Sequence, residues 1–414
     1  MASRRLFLSM LALSNIPVST EASMTKKRID KFGKTFEYLK DPETREREMG
    51  KSLLTVDGAI FQGIPFEEME WKNIVFKNCD FFGNYDIGPN TQTNVRYEDC
   101  RFSGILSFGK THNVRFLRCA WVGAPVMFAE KGSTDTVFES CTFAGKSPDP
   151  NQQGGVGSHG DAEFIDCYAK WFSLVGDASL TLRKCECEGA SIETDSEANS
   201  GDDFLSSKVV IQQSKLRGYF DMRATNLHSL SIQDTVIEYF DISRSTVKQS
   251  VVIERVRGGY LNMYPQQADS LIVRNSQILG NDRKIFEAYA GGIKNIEIES
   301  VVFGGGALSG SVIVAGGTGM DLTNPRPRIN QSISIKDCRI PNLNTHHINT
   351  SSFLLKGCKL ENVAISSSYI DKLELAGNTI TRAVDLSNTK TKENHIQLLP
   401  KSSTKLDGSN IRLN

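Results

Sequence analysis

A period of five residues constrains this chain more than any other feature of its sequence. From residue 59 it falls into blocks: Ala59-Ile-Phe61-Gln-Gly, Ile64-Pro-Phe66-Glu-Glu, Met69-Glu-Trp71-Lys-Asn, Ile74-Val-Phe76-Lys-Asn and Cys79-Asp-Phe81-Phe-Gly. Phe61, Phe66, Trp71, Phe76 and Phe81 share one phase, and the residues two before them are small or apolar. A helix would repeat its apolar face near every 3.6 residues and a plain strand every 2. Neither produces an apolar pair every five residues.

The phase returns towards the C-terminus. Leu355, Leu360, Ile365, Ile370, Leu375 and Ile380 are five apart, preceded by two residues by Phe353, Cys358, Val363, Ser368, Leu373 and Asn378. Shorter bursts connect the two ends, among them Val95-Arg-Tyr97, Val114-Arg-Phe116, Leu230-Ser-Ile232, Phe240-Asp-Ile242, Leu271-Ile-Val273 and Ile333-Ser-Ile335. A longer period lies on top. Cys79, Cys100 and Cys119 recur at close to twenty residues, as do Thr235, Val256 and Ser276, then Cys338 and Cys358.

These blocks resemble the pentapeptide-repeat family, in which a large apolar residue stands at the centre of each block and a small one two before it. The resemblance covers most of residues 57–390. It implies an all-β fold, a right-handed parallel quadrilateral β-helix with four pentapeptides in each square coil. Equivalent side chains would then stack at the strand spacing of roughly 4.8 Å. No coil of that kind buries its inward face alone, so stacking must supply both core and backbone hydrogen bonds.

Three segments follow: a leader or signal-like stretch over 1–23, a charged helical cap over 24–56, and the repeat over 57–414. In the leader, Arg4-Arg5 precedes a short apolar run, and Thr20-Glu21-Ala22 reads as a cleavage site. A disordered leader and a start at Met24 are the alternatives. In the cap, Ile29, Phe32, Phe36 and Leu39 keep helical spacing until Asp41-Pro42. Phase breaks, read as loops, fall at 84–94, 145–161, 194–207, 281–295, 304–330 and Pro341–Ser352.

Little in the sequence points to catalysis, so the expectation is a protein that is not an enzyme and holds no cofactor and no metal. Cys79, Cys100, Cys119, Cys141, Cys167, Cys338 and Cys358 occupy the small inward position, where a thiol acts as a small hydrophobe. Cys185-Glu-Cys187 lacks the spacing of a zinc site. Gly201-Asp202-Asp203 and Ser158-His159-Gly160 resemble two motifs of pectin-hydrolysing β-helices, but in the reverse order. The adjacent His346-His347 is expected to be a solvated loop pair. Gly304-Gly305-Gly306 and Gly316-Gly317 lack the strand–turn–helix setting of a nucleotide loop.

Lys and Arg number 48 against 48 Asp and Glu, which gives no overall attraction to nucleic acid. The leading expectation is a non-enzymatic scaffold that binds another protein, similar in plan to secreted pentapeptide-repeat effectors. It would work outside the cell or in a host cytosol, with the bacterial cytoplasm or periplasm as alternatives. Alternative functions are a DNA-mimic regulator of a topoisomerase, against which the neutral charge speaks, and a β-helix enzyme degrading polysaccharide. No stretch is apolar enough to suggest a membrane span.

Overall fold

The computed structural model describes residues 53–62, 70–82, 91–103, 109–122, 126–128, 132–144, 155–158, 160–175, 178–193, 207–222, 225–265, 267–280, 284–304, 311–316, 330–397 and 403–405. The leader and residues 24–52 of the expected cap fall outside these residues. The cap's last residues do not, and there the helix expected to residue 56 is corrected, because Leu54–Asp57 is the first strand and pairs in parallel with Ile74–Lys77. Within the described residues the chain is all β, and no helix is present. Every strand pairing is parallel, in one sheet of 17 strands and one of 20. The chain alternates between the two and advances one rung each time it returns, so the protein is a parallel β-solenoid.

One corner defines the coil. Where the chain passes from the first sheet to the second, an exposed residue in the left-handed region precedes a buried small one. Asn78-Cys79, Asp99-Cys100, Arg118-Cys119, Asp234-Thr235, Asp337-Cys338 and Gly377-Asn378 are examples, with φ between 51° and 63°. Asn, Asp and Gly tolerate this conformation better than other residues, which is why they recur here. The amide after each buried corner residue donates to the carbonyl one coil back, from Asp80 N to Ala59 O through Thr379 N to Cys358 O. The corner is described in each coil from Gly58-Ala59 to Gly377-Asn378.

The five-residue phase is visible in what is buried. From Cys338 to Ile380 the inward pairs are Cys338/Ile340, Leu343/Thr345, Ile348/Thr350, Phe353/Leu355, Cys358/Leu360, Val363/Ile365, Ser368/Ile370, Leu373/Leu375 and Asn378/Ile380. This corrects the loop expected at Pro341–Ser352. Strands Arg339–His346 and Asn349–Lys356 run through it. The expectation failed because Thr345 and Thr350 occupy places that Leu or Ile fill elsewhere. Thr is β-branched like Val and fits the inward position, and the Thr350 hydroxyl donates to the Ser352 carbonyl at 3.1 Å. Strands also enter four other expected loops, at Thr91–Glu98, Val156–Ser158, Lys284–Tyr289 and Ser311–Ala315.

Packing differs between the two halves. In the N-terminal coils rings stack in two files. One holds Phe76, Tyr97, Phe116, Phe138 and Phe164, with centroids 4.6–5.1 Å apart. The other holds Phe81, Phe102, Trp121 and Phe143, at 4.5–4.8 Å. The files meet edge-on, for instance Phe116 against Trp121 at 5.4 Å. Such pairs add roughly 0.5–1.5 kcal/mol each beyond burial. The buried Tyr97 hydroxyl is satisfied by donating to Gln92 Oε1 at 2.9 Å. Beyond Phe164 the first file turns aliphatic: Leu182, Ile211, Ile232, Ile253, Val273 and Ile298. In strand Lys390–Ile396 Thr391 and Asn394 stand in register with the inward Ile370 and Leu373, and Asn394 Nδ2 donates to Thr391 Oγ1 at 3.2 Å.

Candidate functional site

Outward residues of the second sheet form two neighbouring columns that differ from the rest of the surface. In strands Lys215–Asp221, Val236–Asp241 and Arg257–Met263, Tyr219, Tyr239 and Tyr260 lie in register, with ring centroids 4.4 and 4.9 Å apart. Two residues on, the second column carries Asp221, Asp241, Asn262 and, in strand Lys284–Tyr289, Glu287. Alternation along a strand puts both columns on the same face. Beyond Asn262, Tyr264 stacks on Tyr289 at 5.1 Å.

Glycine makes the bend ahead of this face possible. Gly218 has a φ of +134°, and a Cβ on Gly259 would sit 2.4 Å from the Glu238 carbonyl oxygen. The backbones approach too closely there for a side chain. One coil earlier, the Trp171 ring lies on Gly189, where a Cβ would come within 2.2 Å of it. The Trp171 indole N–H donates to Ser191 Oγ at 3.0 Å.

The phenols donate to carboxylates of the following coil. Tyr168 reaches Glu188 at 3.0 Å, Tyr219 reaches Asp241 at 3.3 Å, and Tyr260 reaches Glu287 at 2.5 Å. Burial, then the Glu188 carboxylate, pushes the Tyr168 phenol up to about 12. Burial and Glu287 raise the Tyr260 phenol further in the same direction. Both phenols therefore stay protonated as donors. Asp241, 5% exposed, also caps its corner by accepting from the Ser243 amide at 2.8 Å. Asp385 does the same for Ser387 at 3.0 Å. The result is a stiff aromatic and acidic face, locked by hydrogen bonds between coils.

The sequence candidates come out differently. All nine cysteines are buried and unbridged. Cys185 joins the same corner column as Cys79 to Cys167, and Cys187 lies two residues inside it. Burial pushes the Cys187 thiol up to about 12, so it is neutral at ordinary pH. Ser158 is buried and donates to the Gly160 carbonyl at 2.6 Å, which makes it part of a turn. Gly201-Asp202-Asp203 and His159 lie outside the described residues.

His346 and His347 are not a solvated loop pair: their Nδ1 atoms lie 3.0 Å apart and both rings are half-buried. The left-handed φ of 55° at His347 turns the chain so that neighbouring rings face each other. Among the described residues no three His, Cys, Asp or Glu gather as metal ligands, and no helix is long and apolar enough to cross a membrane.

The tyrosine face was missed in the sequence, yet it left a signal. Tyr219, Tyr239 and Tyr260 are 20 and 21 residues apart, one coil each, and Asp221 and Asp241 keep the same interval. Compared with protein-family models, with curated proteins and with solved structures, the chain gives no match.

Proposed function

We propose that this chain is a non-enzymatic binding scaffold, a pentapeptide-repeat protein of the secreted effector type whose four-sided, right-handed β-helix presents a flat face to another protein. The observation that carries the reading is the tyrosine column Tyr219–Tyr239–Tyr260 beside Asp221, Asp241 and Glu287. Tyrosine is enriched at binding hot spots because it offers large contact area at little entropic cost. Here the rings are already held by their neighbours, so little order remains to be lost on binding. Inward pairs every five residues over 338–380 support the family assignment. Nine reduced thiols fit a reducing compartment such as a host cytosol.

The test is differential capture. Tagged full-length protein and its Tyr239→Ser/Tyr260→Ser variant are compared in host-cell extract by quantitative mass spectrometry. The control is Arg96→Ser/Arg115→Ser, on the outward face of the first sheet. The expected result is a protein that the parent and control retain and the tyrosine variant loses by at least about thirtyfold, as for a hot spot worth 2 kcal/mol or more. Equal capture by all three removes this face from the proposal. Fractionation with intact mass checks the setting. Full-length protein in the medium or in host cells agrees with it, whereas a periplasmic species trimmed near Ser23 contradicts it.

A further inference from the structure

The corner thiols form an unbroken file. Cys79, Cys100, Cys119, Cys141, Cys167 and Cys185 occupy the same place on successive coils, linked by Arg101 N to Cys79 O, Ala120 N to Cys100 O and their successors to Lys215 N on Cys185 O. Ala59 precedes the file and Ser214 follows it, so it has two thiol ends. Cys338 and Cys358 repeat the arrangement as an isolated pair. The Cys141 amide lies 3.4 Å from the Cys167 sulfur and the Cys338 amide 3.4 Å from the Cys358 sulfur, so each thiol leans over its neighbour's coil. In-register parallel strands stand about 4.8 Å apart. That falls inside the roughly 4.4–6.8 Å window of Cα separations that a disulfide spans.

We propose that this file is a modification site at which two-electron oxidation staples adjacent coils, as Cys79–Cys100, Cys119–Cys141, Cys167–Cys185 and Cys338–Cys358, with Cys187 left reduced. In each step two S–H bonds break and one S–S bond forms. Two protons and two electrons pass to the oxidant, a small disulfide or a peroxide. A first bridge at Cys100–Cys119 would strand Cys79. Thiolate exchange with a neighbouring thiol moves such a bridge along the file until the end residues are paired. Each thiol is at most 2% exposed, but it lies one residue from an exposed corner such as Asp99 or Asp166. Opening one corner turn is enough to admit a small reagent. Cys187, two residues inside Cys185, has no thiol opposite it: its partners in register are Ala169 and Leu216.

The folded full-length protein is treated with diamide, whose N=N bond takes up the two electrons and two protons. It is then acid-quenched, unfolded, alkylated with iodoacetamide, weighed and mapped. The expected result is the loss of two hydrogens for each of four bridges, with a single alkylated thiol at Cys187. The variant Cys119→Ser should lose two hydrogens for each of three bridges and alkylate at Cys187 and at one end of the remaining three-thiol file, Cys141 or Cys185. Serine already stands at this corner in Ser214, so that variant is expected to fold. Nine alkylated thiols after treatment of the folded protein, or bridges between cysteines that are not neighbours in the file, would overturn the proposal.

Discussion

At residue 184 the cost of the corner conformation can be measured in isolation. Lys184 holds a φ of 57° and its side chain is exposed. A left-handed backbone costs an ordinary L-residue roughly 1–2 kcal/mol, glycine nothing, and a β-branched residue most. Lys184→Gly should therefore leave stability unchanged or raise it by up to about 1 kcal/mol, because glycine's larger unfolded-state entropy offsets part of the relief. Lys184→Val should lower it by about 1–2 kcal/mol. Urea denaturation of the two variants checks the opposite signs. Nothing in the sequence marks Lys184, Arg118 or Arg255 as corner residues, yet each holds the same left-handed φ as the Asn and Asp corners. The coil fixes the backbone, and the residue then accepts the strain.

Strand Arg339–His346 carries the clearest pH dependence of a single element. Burial, and then the charge of His347, lowers the affinity of His346 for its proton in the folded state. The unfolded chain therefore binds more protons as pH falls through the usual histidine value of about 6.5. Stability from this residue is present above that pH and declines as pH drops towards the folded value. The melting temperature at pH 5 should lie below that at pH 8, and His346→Gln should flatten the slope. A slope unchanged by the substitution would assign it to other groups. This element also shows why composition misleads: Pro341, Asn344 and the two histidines read as loop residues, but they sit mostly on the outward face, where polarity costs nothing.

The described coils form a one-dimensional stack. Each coil contacts only the coils above and below, so its stability is close to a sum of local terms. Phe138 is fully buried, stacked on Phe116 at 4.7 Å and on Phe164 at 4.6 Å. Phe138→Ala should cost about 3–5 kcal/mol. The loss should be confined to nearby coils. Hydrogen exchange is expected to quicken over 110–183 and to stay as in the parent over 330–396. Uniform loss of protection would mean that the rod unfolds as one unit.

What the sequence by itself determined is the period. Five-residue pairing and near-twenty-residue recurrence are properties of composition along the chain, and they required a stacked parallel solenoid because no isolated coil could bury such pairs. The tertiary structure decided which residues become neighbours across coils. Tyr219, Tyr239 and Tyr260, or Cys119 and Cys141, are about twenty residues apart in the chain and one strand apart in space. Insertions vary the length of each coil, so register, and with it every stacked column, is settled only when the backbone amides choose their partners in the coil beneath.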